Sequence, residues 1–135
     1  MKEIIIKNSN SEILIDDNLS YYLFPYFFVP LLENKDIINE NLFLNNKDKI
    51  KDLYDDLEKY LKKILIEWYQ EPSEKELQKY STRYERIKFD NKIYKINYRM
   101  FEIGRLVYLI YCILQILDNS YTKGESINIR IIHKG

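Results

Sequence analysis

Alanine does not occur in this 135-residue chain, and cysteine, histidine and tryptophan occur once each. One Cys and one His, Cys112 and His133, cannot form the usual His/Cys ligand sets of zinc sites, and no Cys-x-x-Cys or His-Glu-x-x-His spacing exists. A single cysteine also excludes an internal disulfide and fits a reducing compartment. The three glycines, Gly104, Gly124 and Gly135, are too far apart to build a phosphate-cradling loop. No serine stands between glycines, as a nucleophile elbow requires. The most apolar stretch, Leu106 to Leu117, is broken by Gln115 and bounded by Arg105 and Asp118. It falls short of the roughly 20 residues that span a bilayer, so no membrane partner is expected. Met1-Lys2-Glu3 leads into only three isoleucines, without the apolar region and cleavage site of a secretion signal. A cytoplasmic protein is therefore expected.

What is present is the composition of a folded protein, 46% hydrophobic and 31% charged. A chain of this length buries about two-thirds of its unfolded surface, enough for a core without staples, and a single domain over 1–135 is expected. Isoleucine, lysine, asparagine and tyrosine are in excess, which fits an A+T-rich genome; the thirteen tyrosines are then partly a compositional bias. Basic and acidic residues balance at 21 each, but unevenly: residues 1–60 hold 7 basic and 12 acidic side chains, residues 61–135 hold 14 and 9. Such asymmetry points to a partner of opposite charge or to a dimer.

Periodicity gives the elements. Lys2 to Lys7 and Glu12 to Ile15 are β-branched runs around a polar turn, a hairpin. Asp16-Asp17-Asn18 offers N-cap oxygens to a following helical segment. Pro25 and Pro30 predict two short helices broken near Pro25 across residues 19–32. Residues 33–46 read as an irregular connection with one turn of helix. Residues 47–70 carry Ile50, Leu53, Tyr54, Leu57, Leu61, Ile64, Leu65 and Trp68 at the spacing of one helical face, supported by Asp55/Lys59 and Glu58/Lys62 pairs. Pro72 ends that helix, and Ser73 with Glu76 forms a capping box for a short one. Asp90-Asn91 is a hairpin turn whose two-residue loop pairs Ile87 with Tyr94. Residues 100–118 form a second long helix with a less apolar stripe at Arg105, Tyr108, Cys112 and Gln115. Gly124 then turns the chain into a final strand with Ile127, Ile129 and Ile131 on one face. These elements predict an α+β domain: a mostly antiparallel sheet of about five strands, in the order ββ, helices, ββ, helix, β, packed against two long helices.

Four groups of residues are candidates for chemistry. Asp48, Asp52, Asp55 and Asp56 resemble a cation cluster, but helical spacing splays Asp55 and Asp56 apart and the pattern reads as a solvated face, so no metal is assigned. Glu102 and Arg105, three residues apart on the most apolar helix, read as an internal salt bridge, or with Arg99, Tyr108 and Gln115 as a polar pocket for an anion or nucleotide. Lys75, Lys79, Arg83, Arg86, Lys88, Lys92, Lys95 and Arg99 interleave with Tyr80, Tyr84, Phe89, Tyr94 and Tyr98, the recipe for phosphate contact and base stacking. The alternation of Ile87, Phe89, Tyr94 and Ile96 turns most of those rings inward.

The last group is the aromatic stretch 21–28. Tyr21, Tyr22, Tyr26 and Phe27, beside Asp16, Asp17 and Asp36, combine ring anchors with steering charge, as protein-binding patches do, although the same rings could simply fill the core. Cys112 reads as a small apolar side chain rather than a nucleophile. No catalytic residue and no cofactor is assigned. The leading expectation is a non-enzymatic binding protein that occupies a partner protein's surface, a small inhibitor of immunity or antitoxin type facing a basic toxin or nuclease. Nucleic-acid or nucleotide binding through 75–99 is the alternative, and a small enzyme using carboxylate and arginine chemistry the third.

Overall fold

The computed structural model describes residues 2–27, 41–99 and 101–133. In chain order the described elements are β1 (Lys2–Lys7), β2 (Glu12–Ile15), α1 (Asp17–Phe27), β3 (Asn41–Leu44) and α2 (Lys47–Trp68). They continue with α3 (Glu74–Lys79), a 3-10 turn at Ser81–Arg83, β4 (Tyr84–Phe89), β5 (Lys92–Asn97), α4 (Glu102–Lys123) and β6 (Ile127–His133). The fold is α+β, as expected, but its strands form two sheets: a four-stranded antiparallel sheet and the separate β4–β5 hairpin. Contacts gather into two compact units, Met1–Glu58 with Cys112–Gly135, and Lys59–Tyr111, so the boundary falls inside both long helices.

In the first unit the strand order is β2-β1-β6-β3. Ile4 stands opposite both Ile15 and Ile131, Ile6 opposite Ile13 and Ile129, and Leu44 opposite Ile127. Period-2 alternation thus collects Ile4, Ile6, Ile15, Leu44, Ile127, Ile129 and Ile131 on one face, where all are buried. The other face presents Lys7, Glu12, Arg130, Leu14 and Phe43 to solvent. The β1–β2 turn is set by Asn8, whose Oδ1 accepts the N–H groups of Asn10 (3.0 Å) and Ser11 (2.8 Å). Asn8 is itself buried, and its amide donates to the buried Ser120 Oγ at 3.1 Å, so both polar groups are satisfied.

Asp16 caps α1 as expected: its carboxylate accepts the Leu19 N–H at 2.9 Å. The expected break at Pro25 is corrected, because α1 continues through that residue to Phe27. Proline removes one interior hydrogen bond, and burial of Leu19 and Leu23 on the inner stripe outweighs that loss. The second short helix expected towards Pro30 lies outside the described residues. The irregular connection expected up to residue 46 is corrected at its end, where Asn41–Leu44 is an edge strand on β6.

Helix α2 starts where Asn46 Oδ1 accepts the Asp48 N–H at 2.8 Å. Ile50, Leu53, Leu57, Leu61 and Leu65 are buried along its length, as the spacing predicts, while Tyr54, Ile64 and Trp68 of the same predicted face are half-buried at its margin. The two expected surface pairs are corrected: Asp55 meets Lys51 at 3.5 Å and Lys62 meets Asp90 at 3.8 Å. These are exposed pairs, each worth only a few tenths of a kcal/mol, so a long side chain switches partner at little cost.

In the second unit, Ser73 Oγ accepts the Glu76 N–H at 3.2 Å at the head of α3, one half of the capping box. The β4–β5 register pairs Ile87 with Tyr94, as the turn predicts. Asp90 and Asn91 both have positive φ, 51° and 61°, the signature of a type I′ turn. Ile87 and Ile96 are fully buried on one face of the hairpin, and Leu106, Val107 and Ile110 of α4 are buried in the same unit. A Cβ on Gly104 would run into the backbone carbonyl oxygen of Asn97, so only glycine lets α4 start this close to the end of β5. At its other end α4 outruns the expected boundary at residue 118 and stops at Gly124, with φ +70° and a Glu125 N–H to Ser120 carbonyl bond of 3.0 Å.

Candidate functional site

The residues singled out by sequence fall in different places. Tyr21 on α1 is the most exposed large ring of the described residues, at 79%, and its neighbour Tyr22 is 38% exposed. Their centroids lie 5.7 Å apart, edge to face. Helical geometry explains the split: Leu19 and Leu23 take the inner stripe, Tyr21 lies on the opposite face, and Tyr22, three residues after Leu19, lies on the flank of the stripe. Asp16 is half-buried and occupied as the cap. Asp17, Tyr26 and Phe27 lie on or at the ends of the same helix, but their side chains, and Asp36, lie outside the described residues. The unit that carries α1 holds 9 basic and 14 acidic residues, a net charge of −5.

The basic stretch 75–99 lies wholly in the other unit, whose 12 basic and 7 acidic residues give +5. Most of its cations are exposed, yet many of its rings are already engaged. Lys79 and Arg83 lie 5.3 and 5.5 Å from the centroid of Tyr80. Lys92 lies over Tyr94 at 5.0 Å and Tyr69 at 5.6 Å, and Arg99 over Tyr98 at 5.2 Å. Lys95 is held by Glu71 at 2.9 Å. A ring face covered by the chain's own cation is not open for a base to stack on.

Sequence reasoning missed the centre of this arrangement. Tyr69 Oη donates to Glu71 Oε2 at 2.8 Å and accepts the Lys95 backbone N–H at 3.1 Å. Its ring meets Tyr94 edge-on, with centroids 4.8 Å apart. Burial pushes the Tyr69 hydroxyl up to about 12, assisted by the Glu71 charge and opposed by the Lys95 N–H. The hydrogen bonds from Lys95 and Tyr69 hold the Glu71 carboxyl below its ordinary value. Beside the cluster lies a cleft of about 230 Å³ whose walls include Trp68, Tyr69, Pro72, Tyr84, Lys95 and Phe101.

The polar set, Arg99 ahead of α4 and the other four residues on it, is divided. Arg99 Nε donates to Tyr98 Oη at 3.1 Å, and the Tyr98 ring packs on Tyr108 at 5.1 Å, so Arg99 and Tyr108 are linked through a residue outside the predicted set. Glu102 is exposed and Arg105 half-buried. Gln115 does not join them: ten residues of helix, about 15 Å, separate it from Arg105. It lines a different cavity, with Cys112 and Asn119. Cys112 is half-buried.

Among the described residues no group of three or more His, Cys, Asp and Glu side chains is placed to hold a metal ion, and no helix is long and apolar enough to cross a membrane. Comparison with protein families, with characterised proteins and with solved structures finds no match to this chain.

Proposed function

We propose that the chain is a non-enzymatic binding protein that acts by occupying a partner protein's surface, as a small cytoplasmic inhibitor of immunity or antitoxin type does. The observation that carries this reading is the Tyr21–Tyr22 pair: adjacent rings on a capped helix, Tyr21 79% exposed on its outer face and Tyr22 38% exposed on its flank, on a unit of net charge −5. Rings of this kind are the usual anchors of protein interfaces, and the surplus of carboxylates suits a basic target such as a nuclease. The test uses the purified chain as bait for an extract of its source organism, beside a Tyr21→Ala/Tyr22→Ala double variant. A captured basic protein that the double variant loses, whose capture weakens with added salt and whose activity the wild type suppresses, supports the reading. Capture indifferent to both the substitutions and the salt removes it.

A second reading, nucleic-acid or nucleotide binding through residues 75–99, has the +5 charge of its unit in its favour. The rings of Tyr80, Tyr94 and Tyr98 are engaged by Lys79, Arg83, Lys92 and Arg99, which weakens the stacking half of that recipe. Fluorescence anisotropy of labelled single strands at low salt decides it; no binding at micromolar protein ends it.

A further inference from the structure

The two faces of the β4–β5 hairpin are unlike. Ile87 and Ile96 are fully buried on one of them. On the other, the register sets Tyr84 opposite Asn97, Arg86 opposite Lys95 and Lys88 opposite Ile93, and period-2 alternation gathers these side chains on one surface. Lys95 is held by Glu71, whereas Arg86 and Lys88 are exposed and make no ion pair with a described residue. Tyr84, at one end of this surface, also lines the cleft of about 230 Å³ together with Trp68, Pro72 and Phe101. These rings differ from the others of the unit. Tyr69, Tyr80, Tyr94 and Tyr98 each lie under a lysine or arginine, but among the described residues no cation lies over Trp68, Tyr84 or Phe101. Phe101 is 53% exposed. The Glu76 carboxylate also lines the cleft and disfavours an anion inside it, so the cleft suits a flat ring rather than a phosphate.

We propose that a single-stranded nucleic acid lies along this face of the hairpin, with one base stacked in the cleft against Trp68, Tyr84 and Phe101 and the adjoining phosphates on Arg86 and Lys88. The inference rests on the nucleic-acid reading and moves its stacking half from the covered tyrosines to the rings of the cleft. Arg86 and Lys88 stand two and four residues beyond Tyr84, about 7 and 13 Å along an extended strand, so they follow a chain that leaves the cleft. The net charge of +5 on the unit favours that polyanion.

Trp68 is the only tryptophan and lines the cleft, so its fluorescence reports on a base stacked there. The purified chain is titrated at low salt with a short oligothymidylate and with poly-L-glutamate, a polyanion without bases, while anisotropy of the labelled strand measures binding independently. The oligonucleotide is expected to bind and to quench Trp68, and poly-L-glutamate is expected not to quench it. Phe101→Ala, at an exposed position that leaves Tm unchanged, is expected to weaken strand binding about 5- to 150-fold, the range for loss of one stacking ring. Arg86→Gln and Lys88→Gln are each expected to lower the slope of log K against log salt by about 0.7 while quenching at saturation persists. Absence of strand binding at micromolar protein ends the nucleic-acid reading and this inference with it. Binding that leaves Trp68 unquenched, or that Phe101→Ala does not weaken, keeps the reading and overturns the cleft. Equal quenching by poly-L-glutamate also overturns it, and marks the face as a surface for an acidic protein instead.

Discussion

Tyr69 makes two hydrogen bonds through one hydroxyl, donating to Glu71 and accepting from the Lys95 backbone. Tyr69→Phe leaves that N–H without its partner and is expected to lower stability by about 1 kcal/mol in denaturant titrations. The pH dependence follows from the direction of each shift. With a folded-state value near 12 against an ordinary 10.0, the hydroxyl contributes stability that is complete below pH 10 and lost as pH rises towards 12. Glu71 is shifted the other way, so its contribution is present above its ordinary value and lost as pH falls through the depressed one. The stability gap between wild type and Tyr69→Phe should therefore be flat through neutral pH and shrink above pH 10; a gap that widens there contradicts the assignment. Gly104 offers a second test at this scale. In an exposed helix Gly→Ala gains up to about 1 kcal/mol. Here the new methyl meets the Asn97 carbonyl, so Gly104→Ala is expected to cost roughly 1–3 kcal/mol and lower Tm by several degrees.

The elements that sequence makes legible are those whose signals are local. The β4–β5 hairpin is specified by its turn and its alternation together, and its register follows from them. Asn91 adopts positive φ, which asparagine tolerates and glycine prefers. Asn91→Gly is thus expected to raise stability by a few tenths to about 1 kcal/mol, and Asn91→Ile to lower it by about 1–2 kcal/mol, both read as shifts in denaturation midpoint. What sequence hides is non-local. Strand β3 is four residues long, and its pattern acquires meaning only beside Ile127 to Arg130, more than eighty positions away. Pro25 carries a local signal that is real and overruled, because Leu19 and Leu23 bury the inner stripe of α1 regardless. The candidate sites divide likewise. The outward Tyr21 follows from helical periodicity once α1 is placed, whereas the joining of Tyr69, Glu71 and Lys95 depends on a separation of more than twenty residues that no spacing rule covers.

Over the whole molecule, a formal net charge of zero conceals one unit at −5 and another at +5. Halving the chain by position near residue 60 finds the same imbalance, since most of the basic unit lies beyond that point. Two copies of such a molecule repel little through their net charge and attract through opposite units, so association is governed by screening rather than by pH alone. The Debye length falls from about 30 Å at 0.01 M salt to about 10 Å at 0.1 M, so attraction between units on separate molecules is strong in the first condition and weak in the second. Light scattering at pH 7 should accordingly give a negative second virial coefficient at low salt that rises towards zero or above as salt is added. Charge reversal at Lys88, which is exposed on β4, should weaken the low-salt attraction without lowering stability by more than about 0.5 kcal/mol. On the reading proposed above, a basic partner would be drawn to the unit of net charge −5, so salt that abolishes self-attraction should also slow its capture. A virial coefficient indifferent to salt would mean that folding has mixed the charges at the surface, and would remove electrostatic steering from the proposed binding of a basic partner.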